Sequence, residues 1–94
     1  MSKRIVISEE PDLSLYVRMK GLGELVRFKR TSMDITIENA SSLCRVSKQA
    51  LSNVEKGLES VKVETLFKVL DGLGIHLSFD QSLPATKEVD DEWL

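Results

Sequence analysis

Residues 36–57, with the sequence TIENASSLCRVSKQALSNVEKG, decide the fold of this chain. Apolar and small side chains recur there at intervals of three and four residues, which predicts two short helices that each bury one face. Ser47 stands directly before the second helix and has the side chain of an N-cap residue, so a tight turn at Arg45 and Val46 separates the helices. The predicted buried positions are Ile37, Ala40, Ser41 and Cys44 in the first helix, and Ala50, Leu51 and Val54 in the second.

The second of these helices keeps polar side chains on its outer face, at Lys48, Gln49, Ser52 and Asn53. Such side chains form hydrogen bonds with base edges and phosphates, and a short helix fits the major groove of double-stranded DNA. The stretch therefore predicts a helix-turn-helix whose second helix reads DNA.

Composition limits the class of protein. Ninety-four residues form one small domain, and the 41% hydrophobic and 30% charged fractions are those of an ordinary globular chain. Residues 1–80 carry 12 basic and 11 acidic side chains, whereas residues 81–94 carry one basic and four acidic side chains. The formal net charge of −2 therefore comes from the C-terminal tail, and any DNA contact must depend on local positive charge.

Patterns for catalysis and metal binding are absent from the sequence. Cys44 is the only cysteine, which excludes an internal disulfide, and His76 is the only histidine. No glycine-rich phosphate loop and no known catalytic motif occurs. We expect no enzyme activity, no cofactor and no metal, and, without a signal peptide or membrane-spanning run, a cytoplasmic protein near the nucleoid.

Further helices are predicted on both sides of the motif. Residues 13–20 favour a helical lead-in, and a helix over residues 24–32 follows the Gly21-Leu22-Gly23 break. Residues 63–73 have a strongly amphipathic pattern, with Phe67 as the bulkiest core candidate. The side chains expected to face inward before the motif are Leu22, Leu25, Val26 and Met33.

Phosphate contacts are expected from four basic residues, Arg27, Arg30, Arg45 and Lys56. For the two on the first helix, a basic face that only meets solvent is an equal alternative. Thr36 precedes the next helix as its N-cap and is also among the residues expected to contact DNA.

Alternation predicts a short strand over residues 75–80, with Ile75, Leu77 and Phe79 on one face. A single strand needs a partner for its backbone, either residues 4–7 or the same strand of a second subunit. We favour a dimer interface. Residues 3–8 favour a strand or a frayed N-terminus, and the acidic tail is expected to be flexible, with Trp93 either incidental or an anchor for a partner.

The predicted fold is mainly α: a bundle of four to five helices with a short strand after the last helix. Its expected divisions are an N-terminal extension (1–20), a DNA-binding and dimerisation domain (21–80) and a tail (81–94).

From about residue 22 to residue 79 the chain resembles the Xre/lambda-repressor-like helix-turn-helix family. The matching residues are Leu22-Gly23, Arg27, Ile35-Thr36, Val46-Ser47, Leu51-Ser52, Glu55-Lys56-Gly57, Glu64-Thr65-Leu66 and Leu73-Gly74-Ile75. The resemblance implies a two-fold homodimer on palindromic operator DNA, with the outer face of the second motif helix at base edges or phosphates.

Within that family the chain is most similar to HipB-like antitoxins, through residues 63–79 (VETLFKVLDGLGIHLSF) and a tail that ends near a tryptophan. This resemblance implies repression of the protein's own operon and binding of a HipA-like serine/threonine kinase toxin. Trp93 is the position that would enter a pocket of such a kinase.

Three positions depart from the family pattern. Ile37 stands where glutamine is usual, Arg45 where glycine is usual, and Lys62 where a Ser, Thr or Pro cap is usual. Two alternatives to the antitoxin therefore stay open: a stand-alone Xre-type regulator without a toxin, and a helical interaction module without salt-dependent DNA binding.

Overall fold

The computed structural model of the chain describes residues 4–13 and 17–78. Those residues form four α-helices, α1 (Met19–Ser32), α2 (Ile37–Cys44), α3 (Lys48–Glu55) and α4 (Val63–Gly72). Helix α3 packs against α1, α2 and α4, and α2 also packs against α4. The predicted pair of short helices separated by a tight turn is therefore confirmed as α2 and α3.

The core lies where the four helices meet, and α3 contributes two of its fully buried side chains, Leu51 and Val54. Burying one such side chain contributes about 1.5–3 kcal/mol, so the inner face of α3 anchors the outer face. The buried apolar side chains are Leu22, Val26, Ala40, Cys44, Leu51, Val54, Leu66, Val69, Leu70 and Leu73. The core position predicted for Cys44 is thus confirmed.

Hydroxyl side chains begin both helices of the motif, as predicted. The backbone N–H of Asn39 donates to the Thr36 hydroxyl at 3.1 Å, and that of Ala50 donates to the Ser47 hydroxyl at 3.0 Å. Each bond satisfies an N–H group that the first turn of a helix leaves without a partner. Lys62, before α4, forms no such bond with its side chain.

Each described helix is followed by one residue in the left-handed conformation: Asp34 (φ 60°), Arg45 (φ 62°), Gly57 (φ 73°) and Gly74 (φ 73°). After α2, the backbone N–H of Val46 returns to the carbonyl of Ser41 at 3.0 Å. This six-to-one bond is the mark of a Schellman turn, which satisfies carbonyls that the helix end leaves open. The turn predicted at residues 45 and 46 therefore places arginine in a conformation that favours glycine.

The break predicted at Gly21-Leu22-Gly23 is wrong, because α1 begins at Met19 and includes both glycines. A Cβ added at Gly23 would overlap the backbone carbonyl of Val54 and lie 2.8 Å from that of Glu55. Gly23 therefore allows the backbones of α1 and α3 to approach closely. Residues 17 and 18 are not helical, so the lead-in is shorter than predicted.

The strand predicted for residues 75–80 is absent from its described part, because residues 75–78 have no regular secondary structure. The backbone N–H of Ile75 donates to the carbonyl of Leu70 at 2.8 Å, which turns the chain back onto the end of α4. That hydrogen bond occupies the backbone N–H that Ile75 would need to pair with a neighbouring strand. Residues 4–8 also form no strand, and Phe79, residue 80 and the whole tail with Trp93 lie outside the described residues.

Two predicted core side chains are exposed. Phe67 is 47% exposed and Met33 is 41% exposed. Helix α4 buries Leu66, Val69 and Leu70, and Phe67 lies outside that face. Met33 follows the last residue of α1 and lies in the turn rather than over the core.

Among the described residues, no helix is both long enough and apolar enough to cross a membrane.

Candidate nucleic-acid interface

The outer face of α3 carries the four predicted DNA-reading side chains. Lys48 and Gln49 are exposed, and Ser52 and Asn53 are partly buried. The Gln49 amide donates to the Asn53 side-chain oxygen at 2.9 Å, one helical turn away. This bond orients both amides and leaves the Gln49 oxygen and the Asn53 amide N–H groups available for a base pair.

Helices α1, α2 and α3 together form one groove with a volume of about 750 Å³. It collects six of the nine residues for which sequence analysis predicts DNA contact: Arg27, Arg30, Thr36, Lys48, Gln49 and Ser52. The first and last of these residues, Arg27 and Ser52, are 25 positions apart along the chain, and the packing of α3 on α1 and α2 brings the set together. A concave surface with both polar and apolar side chains, beside a short exposed helix, is compatible with a DNA backbone lying next to a major groove.

Three of the predicted DNA contacts lie outside the lining of that groove. Asn53 follows Gln49 by one turn on α3. Arg45, in the turn before α3, and Lys56, directly after α3, are both exposed. They flank the two ends of the helix, which is where phosphates of neighbouring nucleotides lie when a helix enters the major groove.

Arg30 borders the groove, but the prediction that it points outward is wrong. Its side chain is 10% exposed, and its Nε donates to the Glu55 carboxylate at 2.6 Å while Nη2 donates at 3.2 Å. Its third donor, Nη1, bonds to the backbone carbonyl of Ile35 at 2.9 Å. The guanidinium is thus engaged inside the protein, where it ties α1 to the end of α3.

Two further features of the groove were missed by sequence analysis. Glu38, in the first turn of α2, places a carboxylate on the groove lining. Arg4, Ile5 and Val6 also line the groove. Only the pair of basic residues before the β-prone run, Lys3 and Arg4, hinted that the N-terminal segment belongs to this surface.

Cys44 has no role in this interface. Its thiol lies in the core and donates to the carbonyl of Val69 at 3.6 Å. Burial raises the pKa of the Cys44 thiol above its ordinary value, so the reactive thiolate is disfavoured.

Comparison with protein families identifies the family of the chain. A helix-turn-helix family model, HTH_3, matches residues 26–79, more than half of the chain, and the chain belongs to that family. The match runs from the middle of α1 through α2, α3 and α4. The family indicates a DNA-binding transcription regulator rather than an enzyme. Among curated proteins, no sequence matches the chain.

Proposed function

We propose that the chain is a transcriptional repressor that binds a palindromic operator as a homodimer. The observation that carries this proposal is the groove, in which polar side chains of α1, α2 and α3 converge beside the exposed face of α3. Helix α3 enters the major groove, where Gln49 and Asn53 read base edges. Arg27, Thr36 and Lys48 hold the adjacent phosphates.

Homodimer formation is supported by apolar side chains that the fold of one chain leaves exposed. Val63 and Phe67 lie one turn apart on α4 and are 67% and 47% exposed, and Leu77 is 45% exposed. These side chains supply apolar surface for a two-fold contact, and Ile75 and Phe79, the latter outside the described residues, are proposed to belong to the same contact. Such a dimer sets two copies of α3 about 34 Å apart, one turn of DNA.

The dimer is tested by light scattering on the purified 94-residue chain. We expect the mass of two chains for the unmodified protein and of one chain for Phe67→Glu. Leu43→Glu is the matched control, since Leu43 is an equally apolar residue of α2 that is 52% exposed. A monomeric unmodified chain, or a dimer that Phe67→Glu leaves intact, would contradict the assignment.

DNA reading is tested on a duplex that the protein selects from a random 30-base-pair pool, compared with a scrambled duplex. We expect Gln49→Ala to reduce the preference for the selected duplex by about 1–3 kcal/mol, because one base-reading amide is lost. Lys56→Ala is expected to weaken binding to both duplexes equally, because a phosphate contact carries no sequence information. An unchanged preference in Gln49→Ala removes that residue from the reading surface.

As the more specific form of this function, we propose an antitoxin that represses its own operon and restrains a HipA-like serine/threonine kinase toxin. The resemblance of residues 63–79 and of the terminal tryptophan to HipB-like antitoxins supports it. Trp93 lies outside the described residues and is proposed to contact the kinase. Co-purification with a kinase encoded by the neighbouring gene is expected, and Trp93→Ala is expected to weaken that complex without affecting DNA binding. Absence of a complex favours a stand-alone regulator.

A further inference from the structure

The N-terminal segment of residues 4–13, here called the arm, has no regular secondary structure but is attached to α1. The backbone N–H of Ser8 donates to the Thr31 hydroxyl oxygen at 3.0 Å, and the two hydroxyl oxygens lie 3.5 Å apart. Thr31 is only 4% exposed and its own hydroxyl donates to the carbonyl of Arg27 at 2.8 Å. The arm is therefore attached to a fixed point on the helix that forms one side of the groove.

Beyond that attachment, the first residues of the arm line the groove that α3 also lines. Arg4, Ile5 and Val6 line the same cavity as Lys48 and Gln49, although more than forty residues separate them in the sequence. Val6 is 75% exposed, so the core does not hold this part of the arm in place. The position of the arm instead adds one cationic side chain, Arg4, to the surface next to α3.

The charge on this surface favours a phosphate. Arg4, Arg27 and Lys48 line the groove, and within the described ranges none of the three forms an ion pair. Arg30 also lines the groove, but its positive charge is compensated by Glu55. Among the described residues that line the groove, Glu38 is the only one with a carboxylate. A guanidinium without an internal partner and with solvent access binds a phosphate with two parallel hydrogen bonds.

We propose that the arm is a second DNA-binding element, in which Arg4 holds a backbone phosphate at the groove that the arm shares with α3. The inference rests on the proposed DNA binding and adds a contact that lies outside the helix-turn-helix. The Ser8–Thr31 hydrogen bond is the attachment that keeps Arg4 near the phosphate. Ile5 and Val6 cover the sugar edge of the same strand.

The direct test compares Arg4→Gln with the unmodified 94-residue chain by fluorescence anisotropy on a labelled mixed-sequence 30-base-pair duplex, from 50 to 200 mM salt. We expect about five- to tenfold weaker binding near 100 mM salt and a salt dependence reduced by about 0.9 per subunit, since one phosphate contact is lost. Lys68→Gln is the control, because it removes one cation from α4, which does not line the groove.

The outcomes separate the arm from the proposed function. If the unmodified chain binds no duplex, both proposals fail. If it binds and Arg4→Gln binds equally well, only the arm proposal fails. Stronger binding by Arg4→Gln or by a chain lacking residues 2–7 would show that the arm shields the groove, which also overturns the proposal.

The attachment is tested with Thr31→Val, which keeps the shape of the side chain and removes the oxygen that accepts from Ser8. We expect it to weaken duplex binding in the same direction as Arg4→Gln, and the double variant to lose less than the product of the two factors. A thermal melt checks that Thr31→Val is folded. Fully multiplicative losses in a folded double variant would contradict the role of this attachment.

Discussion

At the scale of single residues, the Arg30–Glu55 pair determines how the end of α3 is held against α1. Arg30 donates twice to the carboxylate and once to the backbone of Ile35, and both side chains of the pair are about nine-tenths buried. A pair of this geometry gives little net stability compared with apolar residues, but it fixes the relative positions of the groups it joins. Here it fixes the end of α3 relative to α1.

Removing one partner of this pair is expected to be costly. Arg30→Ala leaves the Glu55 carboxylate buried without its partner, so we expect the free energy of unfolding to fall by about 3–5 kcal/mol. Urea denaturation followed by circular dichroism measures it. The double variant Arg30→Met with Glu55→Leu is the comparison and should recover most of the loss; a loss below about 1 kcal/mol in Arg30→Ala would contradict the buried-pair interpretation.

Arg45 combines an unfavourable backbone conformation with a proposed phosphate contact. The left-handed conformation at φ 62° costs a non-glycine residue about 1–2 kcal/mol. We expect Arg45→Gly to raise the free energy of unfolding by about 1 kcal/mol, because glycine adopts that conformation readily but loses more chain entropy. The same variant should bind a mixed-sequence duplex less tightly.

Arg45→Asn separates the two effects, because asparagine tolerates the left-handed conformation better than arginine and also lacks the charge. Its thermal stability should fall between the other two proteins, while its DNA affinity should match that of Arg45→Gly. A lower melting temperature for Arg45→Gly than for the unmodified chain would show that the turn is not strained.

At the scale of secondary-structure elements, the contact between α1 and α3 sets the depth of the groove. Gly23 lies against the backbone carbonyls of Val54 and Glu55, at the last turn of α3. Glycine inside a helix costs about 0.8–1 kcal/mol compared with alanine, so its presence is explained by this close approach. The approach also brings Arg30 within reach of Glu55.

The two glycines of α1 allow a matched test of that approach. In Gly23→Ala the new methyl group meets rigid backbone atoms of α3, and we expect a net loss of about 1–3 kcal/mol despite the better helix propensity. In Gly21→Ala it meets the end of the flexible Leu13 side chain, so the stability should change little or increase. Thermal melts of the two variants decide; equal effects would contradict close packing at Gly23.

The amphipathic pattern of α4 predicts the helix itself but not which of its apolar side chains the neighbouring helices cover. The spacing of its apolar residues predicted the helix correctly, with bounds within one residue of Val63–Gly72. It overestimated the buried face, because the apolar stripe is wider than the face that α2 and α3 cover. Phe67 therefore stays exposed while Leu66 and Leu70 are buried.

At the scale of the whole molecule, charge is unevenly distributed along the chain. The groove carries Arg4, Arg27 and Lys48, which form no ion pair within the described ranges, whereas residues 81–94 carry a net charge of −3 from Lys87 and four acidic residues. An acidic segment linked to a DNA-binding domain lowers the local positive potential that attracts the duplex. Its effect should decrease as salt screens it.

Removal of residues 81–94 tests this effect. We expect the shortened chain to bind a mixed-sequence duplex several-fold more tightly at 50 mM salt, with a smaller difference at 200 mM. A full-length variant with the four tail acids changed to amides is the control for length, and it should behave like the shortened chain. Equal affinities for all three proteins would show that the tail charge does not reach the groove.

The helices of the motif, their caps and the polar outer face of α3 were all predictable from the order of the residues alone. These features depend on residues within one or two turns of each other, such as Thr36 with Asn39 and Ser47 with Ala50. Spacing and hydrogen bonding over such short distances can be predicted directly from the order of the residues.

In contrast, the contacts of residues whose partners are distant in the chain became known only from the packing of the helices. Arg30 is paired 25 residues away, Ser8 is attached to Thr31, and Arg4 shares a groove with Lys48. The alternation at residues 75–80 predicted a strand, but in its described part the backbone N–H of Ile75 donates to the carbonyl of Leu70 in the turn that closes α4. The physical reason is common to all of them: burial, ion pairing and backbone hydrogen bonding depend on which surfaces meet, and one-dimensional spacing does not contain that information.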